Sequence, residues 1–473
     1  MTLEEFRRRG HELIDWIADT RTRIYAGELP VLAKSALGSL RAALPATAPQ
    51  SGEPFGAVMQ DLEKLILPAC SHFQHPSFFA YFPSNHSLAS VLGDCASTGL
   101  AQLGLNWASS PALTELEQVT TDWFRQMLGL TNAWSGVIQD TASTSTLVAV
   151  TCARERASAH SAAGGGLQAL AAPLVVYASA HAHSSIAKAA LLAGFGRNNF
   201  RVIGSNAEYA LCPDLLSAAI EADLSAGLKP ACIIATVGTT TTTAIDPVAR
   251  IAELARRHGV WLHVDAAMAG SAMILPECRP LWSGIEAADS VVINAHKWLG
   301  CAFDCSTYFV RDSAHLVRVM STNPSYLQTA IDGQAINYRD WGIPLGRRFR
   351  ALKLWFLLRD QGVEGLQARL RRDIANAQWL KERVDSSPQW RRLAPVPFQT
   401  LCVVHEPRGL SEDLLDRHTL AWCARINASG RAWLTPAILD GRWVVRVSIG
   451  AEVTARCHVE ALWNLMQESA AQA

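Results

Sequence analysis

Five short, mainly apolar runs separated by stretches of helical character constrain this chain most. They are PLVVYAS (173–179), ACIIATVG (231–238), VWLHVD (260–265), SVVINA (290–295) and STYFVR (306–311). Runs of this length without polar alternation predict strands buried on both faces. Between two of them, Asp246 can cap and Pro247 can open a helix that reaches His258, with Gly259 as its stop. Strand, helix and strand within about 35 residues make a βαβ unit. Several in series predict an α/β fold with a mainly parallel central sheet across residues 86–355. In such folds the ligand lies at the carboxyl ends of the strands.

The flanks differ. Residues 3–24 predict an amphipathic helix with Leu3, Phe6, Leu13, Ile14 and Ile17 on one stripe, followed by a Pro/Ala-rich stretch (42–54). One helix cannot bury its own stripe, so residues 1–85 are expected to form an N-terminal helical arm packed on another domain or a second subunit. Residues 356–473 read as a small α+β domain. There the helical GLQARLRRDIANAQWLKERV leads to the strand QTLCVV (399–404), and AWLTPAIL and RWVVRVSI flank Asp440-Gly441, a hairpin turn signal. Lys+Arg and Asp+Glu balance at 42 each, so no basic field is present to hold a nucleic acid. No apolar run approaches a membrane span. Only 18% of the residues are charged, which points to surface hidden between subunits. Eleven cysteines without paired spacing, and a start without an apolar leader core, suggest a cytoplasmic protein.

The polar residues of interest lie just past the strand ends. In NAHKWLG (294–300), Lys297 is embedded among Trp298, Leu299 and Gly300. Burial disfavours an ammonium, and a neutral amine is what carbonyl attack and Schiff-base formation require. HVDAAMAG (263–270) sets Asp265 at another strand end, thirty-two residues before Lys297. A carboxylate there can hold a pyridinium N–H charged, and Ala267 is small enough to lie flat under a planar ring. SAHAHSS (179–185) offers His183 to the opposite face. A metal reading of His181 and His183 lacks third and fourth ligands, so no metal is expected. In VIQDTASTST (137–146), Thr141, Ala142 and Ser143 present hydroxyls and N–H groups at a helix start, where an anion binds. TVGTTTTTAID (236–246) adds a second hydroxyl-rich turn containing Thr240. Singly, each has an ordinary structural use: a lysine reaching solvent, a capping aspartate, a loop histidine, a hydroxyl cap. Together they supply an amine, an opposed carboxylate, a stacking imidazole and a phosphate cradle, the set that pyridoxal 5'-phosphate (PLP) needs.

FFAYFPS (78–84), NWASSPALTELE (106–117), HVDAA, NAHKW and WGIPLGRRFRALKLW (341–355) carry a resemblance that runs almost the whole length of the chain. With these motifs it resembles the group II PLP-dependent amino-acid decarboxylases, and within them the aromatic-L-amino-acid decarboxylases, especially bacterial DOPA decarboxylases. The resemblance implies PLP fold type I (aspartate-aminotransferase-like) and a homodimer with shared active sites. Lys297 would carry the cofactor, Asp265 pair with its ring nitrogen and His183 stack on the ring. Thr141, Ala142, Ser143 and His296 would surround the phosphate, and Thr240 and Asn294 would complete the cofactor shell. Phe73, Tyr81, Phe82, Pro83, Ser84, Phe303 and Arg347 match positions that shape the substrate pocket, and Leu103 and Leu105 would reach the neighbouring subunit. NPSYLQTAIDGQAINYRDWG (323–342), long and polar with few apolar anchors, reads as a mobile loop whose Tyr326 matches a tyrosine acting in Cα protonation. An apolar cleft without an extra cation favours aromatic substrates over acidic ones. Gly346 matches DOPA- and indole-accepting members, so DOPA comes first, with tryptophan, 5-hydroxytryptophan, tyrosine and phenylalanine open. The chain departs from many relatives at Asp140, where they have glycine, and from some at Phe73 and Leu105. An aldehyde synthase on the same scaffold, a non-catalytic binding paralogue and an aminotransferase are the rival readings.

Overall fold

The computed structural model describes residues 1–472. The chain divides into two compact units, one of Met1–Pro83, Ala375–Leu393 and Cys402–Ala473, the other of Ser84–Ile374 and Ala394–Leu401.

The larger unit is built on seven strands: β1 (Ser135–Gln139), β2 (Leu174–Ser179), β3 (Phe200–Ile203), β4 (Lys229–Thr236), β5 (Trp261–Asp265), β6 (Ser290–Ile293) and β7 (Ser306–Val310). They lie in the order β1-β7-β6-β5-β4-β2-β3. Every pairing from β3 to β6 is parallel, and β7 alone runs against its neighbours β6 and β1. The five apolar runs all form strands. β1 and β3 escaped the sequence reading because SGVIQ and FRVI are shorter and carry polar residues at the sheet margins. Both are edge strands, and an edge needs less apolar sequence.

The fully buried strands are covered by helices whose composition follows their depth. The helix Ala142–Ala157 packs Val148, Ala149, Cys152 and Ala153 with Val176, Ile234, Trp261 and Tyr308 in one core cluster. Buried on several sides, it has no polar stripe. The helix Val248–His258, by contrast, buries Val248, Ile251, Ala252, Leu254 and Ala255 along one face and ends on Arg256, Arg257 and His258, which complement its dipole. Its start corrects the expected cap. Pro247 holds the cap position, and the Asp246 carboxylate accepts instead from the Leu211 and Thr236 N–H groups, both at 2.7 Å. Two buried backbone donors outbid a helix end that can be left to water.

In the smaller unit the helix Leu3–Tyr25 starts at a capping box of Thr2 and Glu5, but buries only Thr20 and Ile24. The predicted stripe residues Leu3, Phe6 and Ile14 stay exposed. A four-stranded sheet follows, from β8 (Trp390–Arg392), β9 (Thr400–His405), β10 (Thr435–Leu439) and β11 (Arg442–Ser448), in the order β10-β11-β9-β8. The β10–β11 hairpin turns at Asp440 (φ 51°) and Gly441 (φ 78°), the left-handed pair expected of this dipeptide. The helix Arg350–Asp385 runs through residue 355, where the sequence suggested a domain boundary, and breaks at Gly362 instead. Among the described residues, no helix is long and apolar enough to cross a membrane.

Burial holds several imidazoles neutral. It pulls His75, His263 and His405 down to about 4 and His296 to about 3, from an ordinary 6.5. At pH values between these limits the unfolded chain takes up protons that the folded one excludes. Their stabilising contribution is therefore complete above about pH 6.5 and is lost as the pH falls towards 4. Asp246, which burial raises to about 7 from 3.8, and Asp373, which burial also raises, have the opposite sign. Against them, His72, His183, His418 and His458 are lowered by burial as well and add to the four histidines above. Urea midpoints measured from pH 7.5 to 4.5 should fall steadily below pH 6.5, and a flat profile would contradict the neutral histidines.

Candidate active site

The carboxyl ends of three parallel strands, β5 and β6 side by side and β2 beyond β4, deliver three of the expected side chains to one neighbourhood. Asp265 closes β5 and is buried, with its Oδ1 accepting the Ala267 N–H at 3.0 Å. His183 follows β2 and caps the helix Ser184–Leu192. Its Nδ1 accepts from the Ser185 N–H (3.2 Å) and lies 2.7 Å from the Ser185 hydroxyl, so the ring proton belongs on Nε2. Burial lowers the His183 pKa, while Asp265 acts to raise it and Lys297 to lower it. All three groups therefore share one electrostatic neighbourhood. Lys297 lies in a tight turn, Ala295–Leu299, that follows β6, and its N–H bonds the Asn294 carbonyl at 2.9 Å.

The remaining cofactor candidates close around this trio. The Asn294 N–H reaches the Ala267 carbonyl at 2.9 Å, and the Asn294 Oδ1 is buried without a hydrogen-bond partner. Ala142, at the start of its helix, packs with Ala267 and Val292, bringing the Thr141–Ser143 turn against the end of β5. Thr141 makes no capping bond to the helix. Its hydroxyl lies 3.5 Å from the Asp140 Oδ1. His296 Nδ1 accepts the Cys305 N–H at 2.9 Å and its ring meets Phe303 edge-on. Thr240 sits half-buried in a turn braced by a 2.9 Å contact between Thr239 Oγ1 and Thr242 Oγ1.

A buried amine-bearing turn, an orphaned amide oxygen, a floor of alanines and an uncapped helix start fit a planar, phosphate-bearing aldehyde. The comparisons agree. A family model described as "Pyridoxal-dependent decarboxylase conserved domain" matches residues 38–402. The chain belongs to the pyridoxal-dependent decarboxylase family. It is 39% identical to a protein named tryptophan decarboxylase 2 from Oryza sativa subsp. japonica, covering 99% of this chain and 95% of that protein. It is 40% identical to a phenylacetaldehyde synthase from Arabidopsis thaliana, covering 99% and 96%. The crystal structure of an Oryza sativa enzyme titled "TDC with PLP and tryptamine" superposes with a TM-score of 0.96 at 34% identity, over 100% of this chain and 99% of that one. The fold is that of the fold-type-I decarboxylases, the cofactor is PLP, and the enzyme is a lyase of the aromatic amino-acid decarboxylase-like group.

Of the residues expected to shape a substrate pocket, Phe73, Tyr81, Phe82 and Pro83 belong to the smaller unit and Ser84, Leu103, Leu105, Phe303 and Arg347 to the larger. In the smaller one, Phe73, Phe78 and Tyr81 surround Trp433, with ring centroids 5.5–5.7 Å from it, and Pro83 is buried. The Arg446 guanidinium lies 4.9 Å from the Phe82 ring centroid. Trp433 and Arg446 were missed from sequence; an arginine amid the apolar RWVVRVSI was the available signal. In the larger unit Ser84 is half-buried, Phe303 is exposed and Leu103 is 56% exposed. Leu105 bonds back to the Leu103 carbonyl. A Cβ added at Gly346 would come within 3.1 Å of Leu103, so this glycine leaves room for that leucine.

Arg347 is turned into protein. Its guanidinium grips the Glu117 carboxylate at 2.6 and 3.0 Å and the Ile138 carbonyl at 2.7 Å, while Glu117 accepts the Ile138 N–H at 2.8 Å. This ion pair stands where edge strand β1 has no neighbour. The loop expected at 323–342 is anchored more firmly than its composition suggested. Tyr338 and Trp341 join the core, Tyr338 Oη donates to the Gly136 carbonyl (3.3 Å), and Gln139 Nε2 donates to the Trp341 carbonyl (2.9 Å). Arg339 also holds the Leu327 carbonyl at 2.8 Å. Only the first half, with Tyr326 78% exposed, keeps a loose character. Aromatic residues in a polar segment were read as loop when they are its anchors. Glu117→Ala should destabilise the protein by about 3–5 kcal/mol, because a buried guanidinium loses its partner. Removing the solvent-screened Arg371–Glu277 pair should leave the urea midpoint nearly unchanged. Urea denaturation of the two variants checks the contrast.

Proposed function

We propose that this enzyme decarboxylates an aromatic L-amino acid, releasing CO₂ and the corresponding arylalkylamine. The convergence of Lys297, Asp265 and His183 carries the proposal. When bound, PLP supplies a conjugated sink for the electron pair left as the Cα–carboxylate bond breaks. Lys297 Nζ is the amine assigned to hold the cofactor and to exchange with the substrate amino group. Asp265 would hold a proton on the ring nitrogen, and His183, held at its helix cap, would stack on the ring. Thr141, Ala142, Ser143 and His296 are assigned to the phosphate end, and Thr240, Ala267 and Asn294 to the rest of the shell. Tyr326 Oη is assigned to deliver the proton to Cα once its loop covers the site.

The substrate side is proposed to be aromatic. Phe73, Tyr81, Phe82, Pro83, Ser84, Leu103, Leu105, Phe303 and Arg347 are the assigned pocket and pocket-supporting residues. The resemblance to bacterial DOPA decarboxylases supports DOPA as first substrate. The name of the Oryza relative and Gly346, which matches indole-accepting members, support tryptophan beside it. The Arabidopsis relative's name supports a second reading, oxidative conversion to an aromatic aldehyde. Tyr326 and His183 together favour the amine. Purified holoenzyme should yield amine and CO₂ in equal amounts from at least one member of a panel of DOPA, tryptophan, 5-hydroxytryptophan, tyrosine and phenylalanine. Lys297→Ala should abolish this, and Tyr326→Phe should divert product to aldehyde. Hydrogen peroxide and ammonia in place of amine from the unaltered enzyme would establish the aldehyde reading, and no turnover of any amino acid would leave the binding paralogue.

The working unit is proposed to be a cytoplasmic homodimer, with residues 1–85 as the dimerisation arm, 86–355 as the PLP domain and 356–473 as the small domain. The exposed Leu3 and Phe6 of the arm, and Leu92, Leu100 and Leu103, support a covered surface. Light scattering should give twice the 51.3 kDa chain mass; a monomer at micromolar concentration would refute the shared sites.

A further inference from the structure

Asp140 closely precedes the helix start assigned to the cofactor phosphate, with only Thr141 between them. Its Oδ1 accepts the Thr141 N–H at 2.5 Å and lies 3.5 Å from the Thr141 hydroxyl. The Thr141 N–H is thus occupied by a carboxylate that belongs to the protein, with the Thr141 hydroxyl beside it. The helix Ala142–Ala157 receives no side-chain cap from Thr141, so its first-turn donors and its positive dipole end face that carboxylate's surroundings. Asp140 is half-buried, where water screens a charge less than at an open surface. Asp140 interacts electrostatically with Arg350. Arg350 is already held by Asp304, at 2.8 and 3.3 Å, so it does not neutralise Asp140 by itself. Ala142 packs with Ala267 and Val292, which keeps this turn beside the end of β5 and not free to swing away.

We propose that Asp140 sets the affinity for PLP by acting as a resident anion at the phosphate turn. It takes up the Thr141 N–H donor and repels the incoming phosphate, so that cofactor binds less tightly than it would with glycine at this position. The proposal rests on the assignment of Thr141–Ser143 to the phosphate. A glycine at this position would free one donor and remove one negative charge. Asparagine would keep the Thr141 contact and remove only the charge, which separates the two effects.

The test compares apoenzyme of the unaltered chain with Asp140→Asn and Asp140→Gly, titrating PLP by tryptophan fluorescence and equilibrium dialysis. Pyridoxal, which lacks the phosphate, and inorganic phosphate as a competitor are the other probes. Both variants should bind PLP at least tenfold more tightly, with pyridoxal affinity unchanged and phosphate competing at lower concentration. The nearly isosteric Asn variant keeps the comparison meaningful if Gly loosens the turn. PLP affinity equal to or weaker than that of the unaltered chain in Asp140→Asn would overturn the proposal. So would an equal gain for pyridoxal, which would put the charge effect elsewhere than the phosphate. Borohydride reduction and peptide mapping of the same samples report on the underlying assignment. A pyridoxyl label on Lys297 without tighter binding in the variants overturns the role of Asp140 alone, and no label in any sample overturns both.

Discussion

Removing a carboxylate from water at the end of a buried strand is costly unless something positive is supplied nearby. Asp265 receives one backbone N–H, from Ala267, and the electrostatic company of His183 and Lys297. His183 is held neutral by burial and by its role as a helix cap, so it does not discharge Asp265. A heteroaromatic cation bound there would answer that deficit. The parallel sheet makes this arrangement cheap to assemble, since β2, β5 and β6 all point their carboxyl ends the same way. Each residue needs only to follow its strand.

The same logic explains which parts of the molecule were legible in the sequence. Strands buried on both faces must be apolar throughout, so the five interior runs declare themselves, and the residues just beyond them are the natural candidates for chemistry. Lys297, Asp265 and His183 were found that way. The Asp440-Gly441 turn was legible because few other residue pairs adopt two left-handed conformations in succession.

What was not legible depended on long-range pairing. Asp246 looked like a helix cap because caps are local, yet its partners are Leu211, thirty-five residues away, and Thr236. Glu117 and Arg347 are separated by 230 residues, and nothing in either neighbourhood announces the other. Edge strands β1 and β3 carry too little apolar sequence to stand out. Tyr338 and Trp341 sit in a polar stretch whose composition hides that its rings are inserted into the core. Each is a case of tertiary context overriding a local pattern.

The contacts along β1 have one more effect. The outermost strand of an open sheet carries a row of peptide groups able to recruit a strand from another molecule. Here the outward Ile138 N–H and carbonyl are taken by Glu117 and Arg347, and the Gly136 carbonyl by Tyr338. An ion pair and a phenol thus stand in for an eighth strand. The β1 margin is thereby closed to a recruited strand, which leaves β3 as the one open margin of this sheet.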